Sequence, residues 1–434
     1  MSSPPPPRVL LVSTPLQGHV NPLLVLRRRL TFRGLPVTFS TVPYAGLKFS
    51  YRDGEAINVR RGALCFEHLH GGGSLRPHDN YLYRVTTFHL FFHRATGGEI
   101  LRRLEDAAPA ALAELIRLHS GAGRAVACVV ANVFIPWAGR VAGAVGVPHA
   151  VLWTESCAIL SLFYHYFHSL ADSRRTTLVA DLRSLRETVS WVLVNTFDEL
   201  EHPAVEALRA HLPITPVGPL FEPEDYGGHE DDGCVPWLDA QPPGSVVFVA
   251  FGSMMKLSRD EMAELAAGLA ATGRPFLLVV RDNNRELLPD DCVAAATGGD
   301  SRGKVVAWCD QGRVLSHRAV GCFVMHCGRN STTEALASGV PVVAYPGVAD
   351  QPTNAMFLVD VYGVGVRLPR PMARDALRCC VEEVLSGPEA AAMRARAGEW
   401  KAEASAAQAT GGSSDKGVRG FVDAVLSLDG AGDG

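Results

Sequence analysis

The residues His326 to Glu334 read HCGRNSTTE, placing a histidine, a glycine, an asparagine, three hydroxyls and a carboxylate directly after the apolar run GCFVM. A strand ending there and a helix beginning there make an anion site. The first turn of the helix presents unpaired N–H groups, Gly328 lets backbone close on a ligand, and Asn330, Ser331 and Thr332 add short polar groups. Phosphate is the economical ligand. Singly, Ser331 or Thr332 would be a helix cap and His326 a strand-end histidine. A second glycine-hydroxyl turn, Phe251 to Ser253 (FGS), also closes an apolar run, and the two turns together point to a diphosphate. No G-x-G-x-x-G follows the first strand of either half, which disfavours a nicotinamide or flavin oxidoreductase.

The elements that must position these residues alternate in period. RVLLVS (Arg8 to Ser13) reads as a strand, NPLLVLRRRL as a helix with Asn21 as its cap and Pro22 in its first turn, Gly34 as the helix stop, and PVTFSTV as the next strand. AVACVVAN, VPHAVLW and WVLVNTF continue the series. Polar FEPEDYGGHEDD, Phe221 to Asp232, reads as a linker. A second series follows: GSVVFVAFGS, a helix over LSRDEMAELAAGLAATG, then PFLLVV, KVVAW, GCFVMH, a helix over NSTTEALASG, and VPVVAYP. Such strand–helix alternation predicts an α/β chain of two Rossmann-like parallel-sheet domains facing across a cleft, with ligands beyond the carboxyl ends of the strands.

A chain of 434 residues suits two domains, and 47% apolar with 20% charged residues is globular composition. A net charge of −4 without a basic run argues against nucleic acid. The opening MSSPPPPR resembles neither a signal peptide nor a membrane anchor, so a cytoplasmic protein without membrane insertion is expected. Ten cysteines lack the spacing of a zinc site; reduced, mostly buried thiols and no bound metal are expected.

Trp308 to Gln351, WCDQGRVLSHRAVGCFVMHCGRNSTTEALASGVPVVAYPGVADQ, closely resembles the signature box of plant small-molecule UDP-glycosyltransferases. PLQGHVNP, VLVNTFDELE, VFVAFGS and GGSSDK extend the resemblance over essentially the whole chain. It implies a GT-B fold, with residues 1–220 holding the acceptor, 221–243 as linker, 244–414 holding the donor, and a tail from about 415 to 434 packing back on the first domain. It also implies a UDP-sugar as donor, no metal and a monomer. By matching position, Trp308 would stack on uracil, Gln311 and Glu334 would bind the ribose, and Ser253, His326, Asn330 and Ser331 would hold the diphosphate. Asp350 and Gln351 would take sugar hydroxyls. The chemistry suits these roles: a flat ring needs an aromatic face, and a vicinal diol needs a carboxylate.

Three departures shape the functional expectation. Glucose-transferring relatives usually carry tryptophan where Arg329 stands, and some plant enzymes using UDP-glucuronate carry arginine. A guanidinium can grip the C6 carboxylate with paired hydrogen bonds, although the reading favoured here turns Arg329 to solvent. His19 matches the family's general base, since imidazole titrates near neutrality, but its partner aspartate is replaced by Asn132, which cannot stabilise an imidazolium by charge. A carboxylic acid acceptor, with a pKa of roughly 4, arrives already ionised and needs no strong base. The resemblance is greatest to the branch forming glucose esters of cinnamic and benzoic acids. The third departure is Asp310, where the usual W-x-P-Q has proline.

The expected activity is therefore inverting transfer of a hexose, glucose first, from UDP to a small aromatic acid, giving a 1-O-acyl ester. A glucuronate donor or a phenolic hydroxyl acceptor is the alternative within the class; a catalytically impaired UDP-sugar-binding protein is the alternative outside it. Aromatic acceptor walls are expected at His78 to Tyr83, Phe88 to His93 and Leu162 to His168. The stretch SLADSRRTTLVADLRSLRETVS is shorter than in relatives. Glu155 has no derivable role.

Overall fold

The computed structural model describes residues 7–14, 16–41, 56–59, 62–68, 97–169, 188–222, 233–252, 255–288 and 302–428. Contacts divide the chain into two units, Met1–Leu220 with Ala407–Gly434, and Phe221–Ala406. The second unit includes the helix Cys234–Asp239, and the first unit resumes at Ala407.

The described residues form fourteen strands, most of them separated by helices: β1 (Arg8–Val12), β2 (Val37–Thr41), β3 (Ala56–Val59), β4 (Gly62–His68), β5 (Val126–Asn132), β6 (His149–Trp153), β7 (Trp191–Val194) and β8 (Ile214–Pro216) in the first unit, then β9 (Val246–Ala250), β10 (Phe276–Val279), β11 (Gly303–Val306), β12 (Val320–Met325), β13 (Val342–Ala344) and β14 (Gly365–Arg367). The first sheet runs β3-β4-β2-β1-β5-β6-β7-β8, all parallel except β3, which pairs antiparallel with β4. The second runs β11-β10-β9-β12-β13-β14 and is wholly parallel. In each, the first strand lies inside the sheet and the order reverses beside it, between β1 and β5 and between β9 and β12. Those reversals open the crevices where parallel sheets bind ligands.

Because a strand turns alternate residues to opposite faces, a parallel sheet covered on both sides needs apolar residues throughout. In β1, Val9 and Leu11 join one buried cluster, and Leu10 and Val12 join another. The first cluster is completed from far along the chain: Val418, Phe421, Val422 and Val425, at helical spacing on Ser413–Ser427, pack against it. In the second unit Val247 and Val249 face a core shared with the helices Arg259–Ala271 and Arg374–Ser386, while Phe248 stacks on Phe323 at 4.8 Å on the other face.

One helix begins earlier than expected. It spans Gln17–Phe32, so Asn21 lies within it and bonds Gln17 rather than capping, and Pro22 sits inside. Gly34, at φ 84°, follows its end as expected. Eight described cysteines are free thiols, six of them buried. No helix among the described residues is long and apolar enough to cross a membrane.

Candidate active site

At the carboxyl ends of β1, β5 and β6 the first unit gathers His19, Asn132 and Thr154. Asn132 is 1% exposed; its Oδ1 accepts from Ser13 Oγ at 2.9 Å and from the Thr14 N–H at 3.0 Å, and its Nδ2 donates to the His19 carbonyl at 3.5 Å. The amide therefore braces the turn that carries His19. The imidazole itself meets the Thr154 hydroxyl, Nδ1 to Oγ1 at 3.3 Å, and the edge of Phe134 at 5.0 Å. Thr154 is held in turn by a rigid strand end, where the Trp153 indole donates to the Ser156 carbonyl at 3.0 Å and the Ser156 hydroxyl accepts from the Ile159 N–H at 3.2 Å. Sequence reading missed Thr154, whose partner lies 135 positions away.

In the second unit the ends of β9 and β12 lie side by side, Ala250 opposite Met325. Gly252 and Gly328 both press on His326: a Cβ on either would come within 2.6 Å and 2.5 Å of the ring. Glycine is needed at both, and at Gly252 φ is 67° as well. His326 is held near pKa 4 because burial disfavours the cation, a push the Asp350 charge only partly offsets, so the ring is neutral at physiological pH. No hydrogen-bond partner for its Nδ1 stands among the described residues.

Gly328 caps the helix Arg329–Ser338, which carries Asn330, Ser331 and Glu334 along its first two turns. Gln311 reaches across to this helix, and its Nε2 divides between Ser331 Oγ at 2.9 Å and Glu334 Oε2 at 2.5 Å. Both amide hydrogens are thereby engaged, and Oε1 is the acceptor that the group retains. Burial pushes the Glu334 carboxyl up to about 7, the Gln311 N–H pulls against this, and the Asp310 charge adds to the rise. Asp310 caps the short helix Gln311–Leu315 by accepting from the Arg313 N–H at 3.1 Å, which gives the residue standing in place of proline a structural role. Trp308, half-buried, lies two residues after β11 on the segment leading to that helix.

Asp350 caps the helix Gln351–Met356 and accepts from Asn354; Gln351 Oε1 accepts from the N–H groups of Gly347 at 2.8 Å and Val348 at 3.2 Å. Arg329 is 5% exposed, which corrects the expectation of a solvent-facing side chain: the first turn of the helix is packed into the unit, and Arg329 goes in with it. Ser253 and the acceptor segments His78 to Tyr83 and Phe88 to His93 lie outside the described residues, as does most of the short stretch after Ser169. Of Leu162 to His168, Leu162 and Tyr166 are exposed, but Tyr164 is 4% exposed and stacks on His211 at 5.0 Å, so it belongs to the core.

The family described as UDP-glucoronosyl and UDP-glucosyl transferase matches residues 180–396. A gallate 1-beta-glucosyltransferase of Quercus robur is 37% identical, covering 96% of this chain and 89% of its own. The chain belongs to the UDP-glucoronosyl and UDP-glucosyl transferase family. A cinnamate beta-D-glucosyltransferase of Fragaria ananassa is 36% identical over 97% of this chain and 83% of its own. Among solved structures, Os79 of O. sativa in complex with UDP superposes with a TM-score of 0.81 at 28% identity, covering 96% of this chain and all of that one. The family's members are UDP-glycosyltransferases of the GT-B fold; this chain, as one of them, is a hexosyltransferase whose donor substrate is a UDP-sugar and whose acceptor is a small molecule.

Proposed function

We propose that the enzyme transfers glucose from UDP-glucose to the carboxylate of a small aromatic acid, forming a 1-O-acyl glucose ester with inversion. The observation that carries this reading is the state of Asn132. Where the family places a carboxylate to support the histidine, an uncharged amide is bonded to Ser13, Thr14 and the His19 carbonyl, and the His19 ring meets a hydroxyl. Such a histidine is poorly equipped to hold the positive charge left by deprotonating an alcohol. An acid with a pKa of roughly 4 makes no such demand. The gallate and cinnamate glucosyltransferases among the relatives support the same acceptor chemistry.

In the reaction an acceptor carboxylate oxygen bonds to the anomeric carbon, the bond from that carbon to the diphosphate oxygen breaks, and UDP leaves with the electron pair. Asn330, Ser331 and the first-turn N–H groups of the helix beginning at Arg329 would receive the growing charge on UDP, with neutral His326 as a further hydrogen-bonding partner. Trp308 would stack on uracil, Glu334 would take the ribose diol oriented by Gln311, and Asp350 and Gln351 would read the sugar hydroxyls. Buried free thiols fit a reducing cytosolic compartment.

The test mixes the protein with cinnamate and either UDP-glucose or UDP-glucuronate. UDP release and an alkali-labile glucose conjugate are expected. An alkali-stable product formed only with phenolic acceptors would replace the ester reading; consumption of UDP-glucuronate alone would assign buried Arg329 to the C6 carboxylate; and tight UDP binding without product would leave a binding protein.

A further inference from the structure

Two neighbouring loops of the second unit carry different parts of the donor site. The loop after β12, His326 to Gly328, leads to the helix with Asn330, Ser331 and Glu334, and the loop after β13, Tyr345 to Asp350, leads to Gln351. Their strands are paired, with Met325 opposite Ala344. Past the strand ends the Tyr345 N–H still donates to the Met325 carbonyl at 2.8 Å, and a hexose extending from a diphosphate is read correctly only if the separation of the loops beyond that bond is also fixed.

The side chain of Asn354 reaches both loops. Asn354, 2% exposed, donates through Nδ2 to the Cys327 carbonyl at 2.9 Å and to the Asp350 carboxylate at 2.6 Å. A primary amide has two N–H hydrogens, and here one goes to each loop. Both receiving groups need holding. Cys327 sits at φ 63°, a left-handed conformation that a residue with a Cβ keeps only when its surroundings enforce it. Ala349, just before Asp350, is left-handed at φ 60°, and the Gln351 bonds to Gly347 and Val348 stiffen the same turn. Without that amide, the Cys327 carbonyl loses one donor and the Asp350 carboxylate another, and the carboxylate is free to rotate.

We propose that Asn354 is a positioning residue for donor-sugar recognition, fixing Asp350 at a set distance from the phosphate-binding loop so that the hexose configuration is read. This rests on the assignment of Asp350 to sugar hydroxyls. It predicts an effect on the sugar and little on the nucleotide.

Equilibrium binding of UDP, UDP-glucose and UDP-galactose to the full chain tests it without needing an acceptor. In Asn354→Ala, UDP affinity should stay within about threefold, UDP-glucose affinity should fall about tenfold, and the preference for UDP-glucose over UDP-galactose should collapse. Asn354→Ser keeps a single donor hydrogen and should fall between, which decides the matter if the alanine variant does not fold. In the double variant with Asp350→Ala, the second substitution should add less than about threefold, because both remove one interaction. Equal losses for UDP and UDP-glucose with the sugar preference intact, or additive effects in the double variant, would overturn the proposal, as would a wild-type protein that binds both donors alike. If Asp350→Ala by itself leaves the sugar preference unchanged, the assignment of Asp350 is what fails. If it abolishes the preference and Asn354→Ala does not, only the positioning role fails.

Discussion

Burial turns Glu334 into a titrating group at working pH. Its carboxyl, enclosed on the helix after Gly328 and pushed up to about 7, is half protonated near neutrality, and only the carboxylate offers full acceptor capacity and charge to a ribose diol. Affinity for UDP-glucose, whose diphosphate does not titrate in this range, should therefore rise as pH climbs through 7 and level off above it, with a limiting slope below of roughly tenfold per pH unit. Calorimetric titration from pH 6 to 8 checks this, and Glu334→Gln should bind more weakly with a flat profile; an unchanged slope in that variant would remove the carboxyl from the donor site. His326, held near 4, contributes no slope in that window. The motif HCGRNSTTE made Glu334 visible as a candidate, but no residue pattern could disclose its enclosure. Thr154 beside His19 and Asn354 beside Cys327 escaped sequence reading for a related reason: each acts through a partner on another element, 135 and 27 positions away.

At the scale of elements, the C-terminal helix Ser413–Ser427 is the piece whose place depends most on close approach. Gly417 faces the backbone of β8, where an added Cβ would lie 2.0 Å from the Pro216 carbonyl oxygen, and the helix start is tied down by Asp415 to Arg33, Arg419 and the Gly411 N–H. Gly417→Ala must push the helix off the sheet, at a cost of about 1–3 kcal/mol typical of overpacking. Gly420, in the same helix with open space around its Cα, is the control: alanine there should be neutral or stabilising by about 1 kcal/mol. Thermal unfolding with hydrogen exchange in the helix separates the two, and equal behaviour would mean that the helix yields freely. Val418, Phe421, Val422 and Val425 recur at the 3.6-residue period of an amphipathic helix. The sheet it covers is more than 200 positions earlier in the chain, and periodicity carries no address. Likewise Asp310 read as a departure from the family's proline until its side chain was seen to cap the helix bearing Gln311.

Across the whole molecule, acid should act first on the unit formed by residues 1–220 and 407–434. His149 in β6 is 5% exposed, with its ring so close to Gly139 that a Cβ there would lie 2.5 Å away, and burial lowers its pKa to about 4. The unfolded chain takes up this proton near pH 6.5 and the folded one resists until about 4, so the stabilisation is complete above 6.5 and is lost as pH falls toward 4, to a limit of about 3 kcal/mol. The second unit offsets a similar loss from His326, because Glu334, raised to about 7, favours the folded state as pH falls through the same range. Peptide-resolved hydrogen exchange between pH 7 and 5 should show the first unit opening before the second, and His149→Leu should remove the difference. If the second unit opens first, the balance has been misjudged. The sequence by itself determined the two sheets and the polar cluster at the helix start after Gly328, because strand period, glycine turns and helix-start chemistry are local and survive in one dimension. Tertiary structure decided the burial of Arg329, the bracing role of Asn132, the pairing of His19 with Thr154 and the bridge made by Asn354, because burial and hydrogen-bond partnership are properties of neighbours in space.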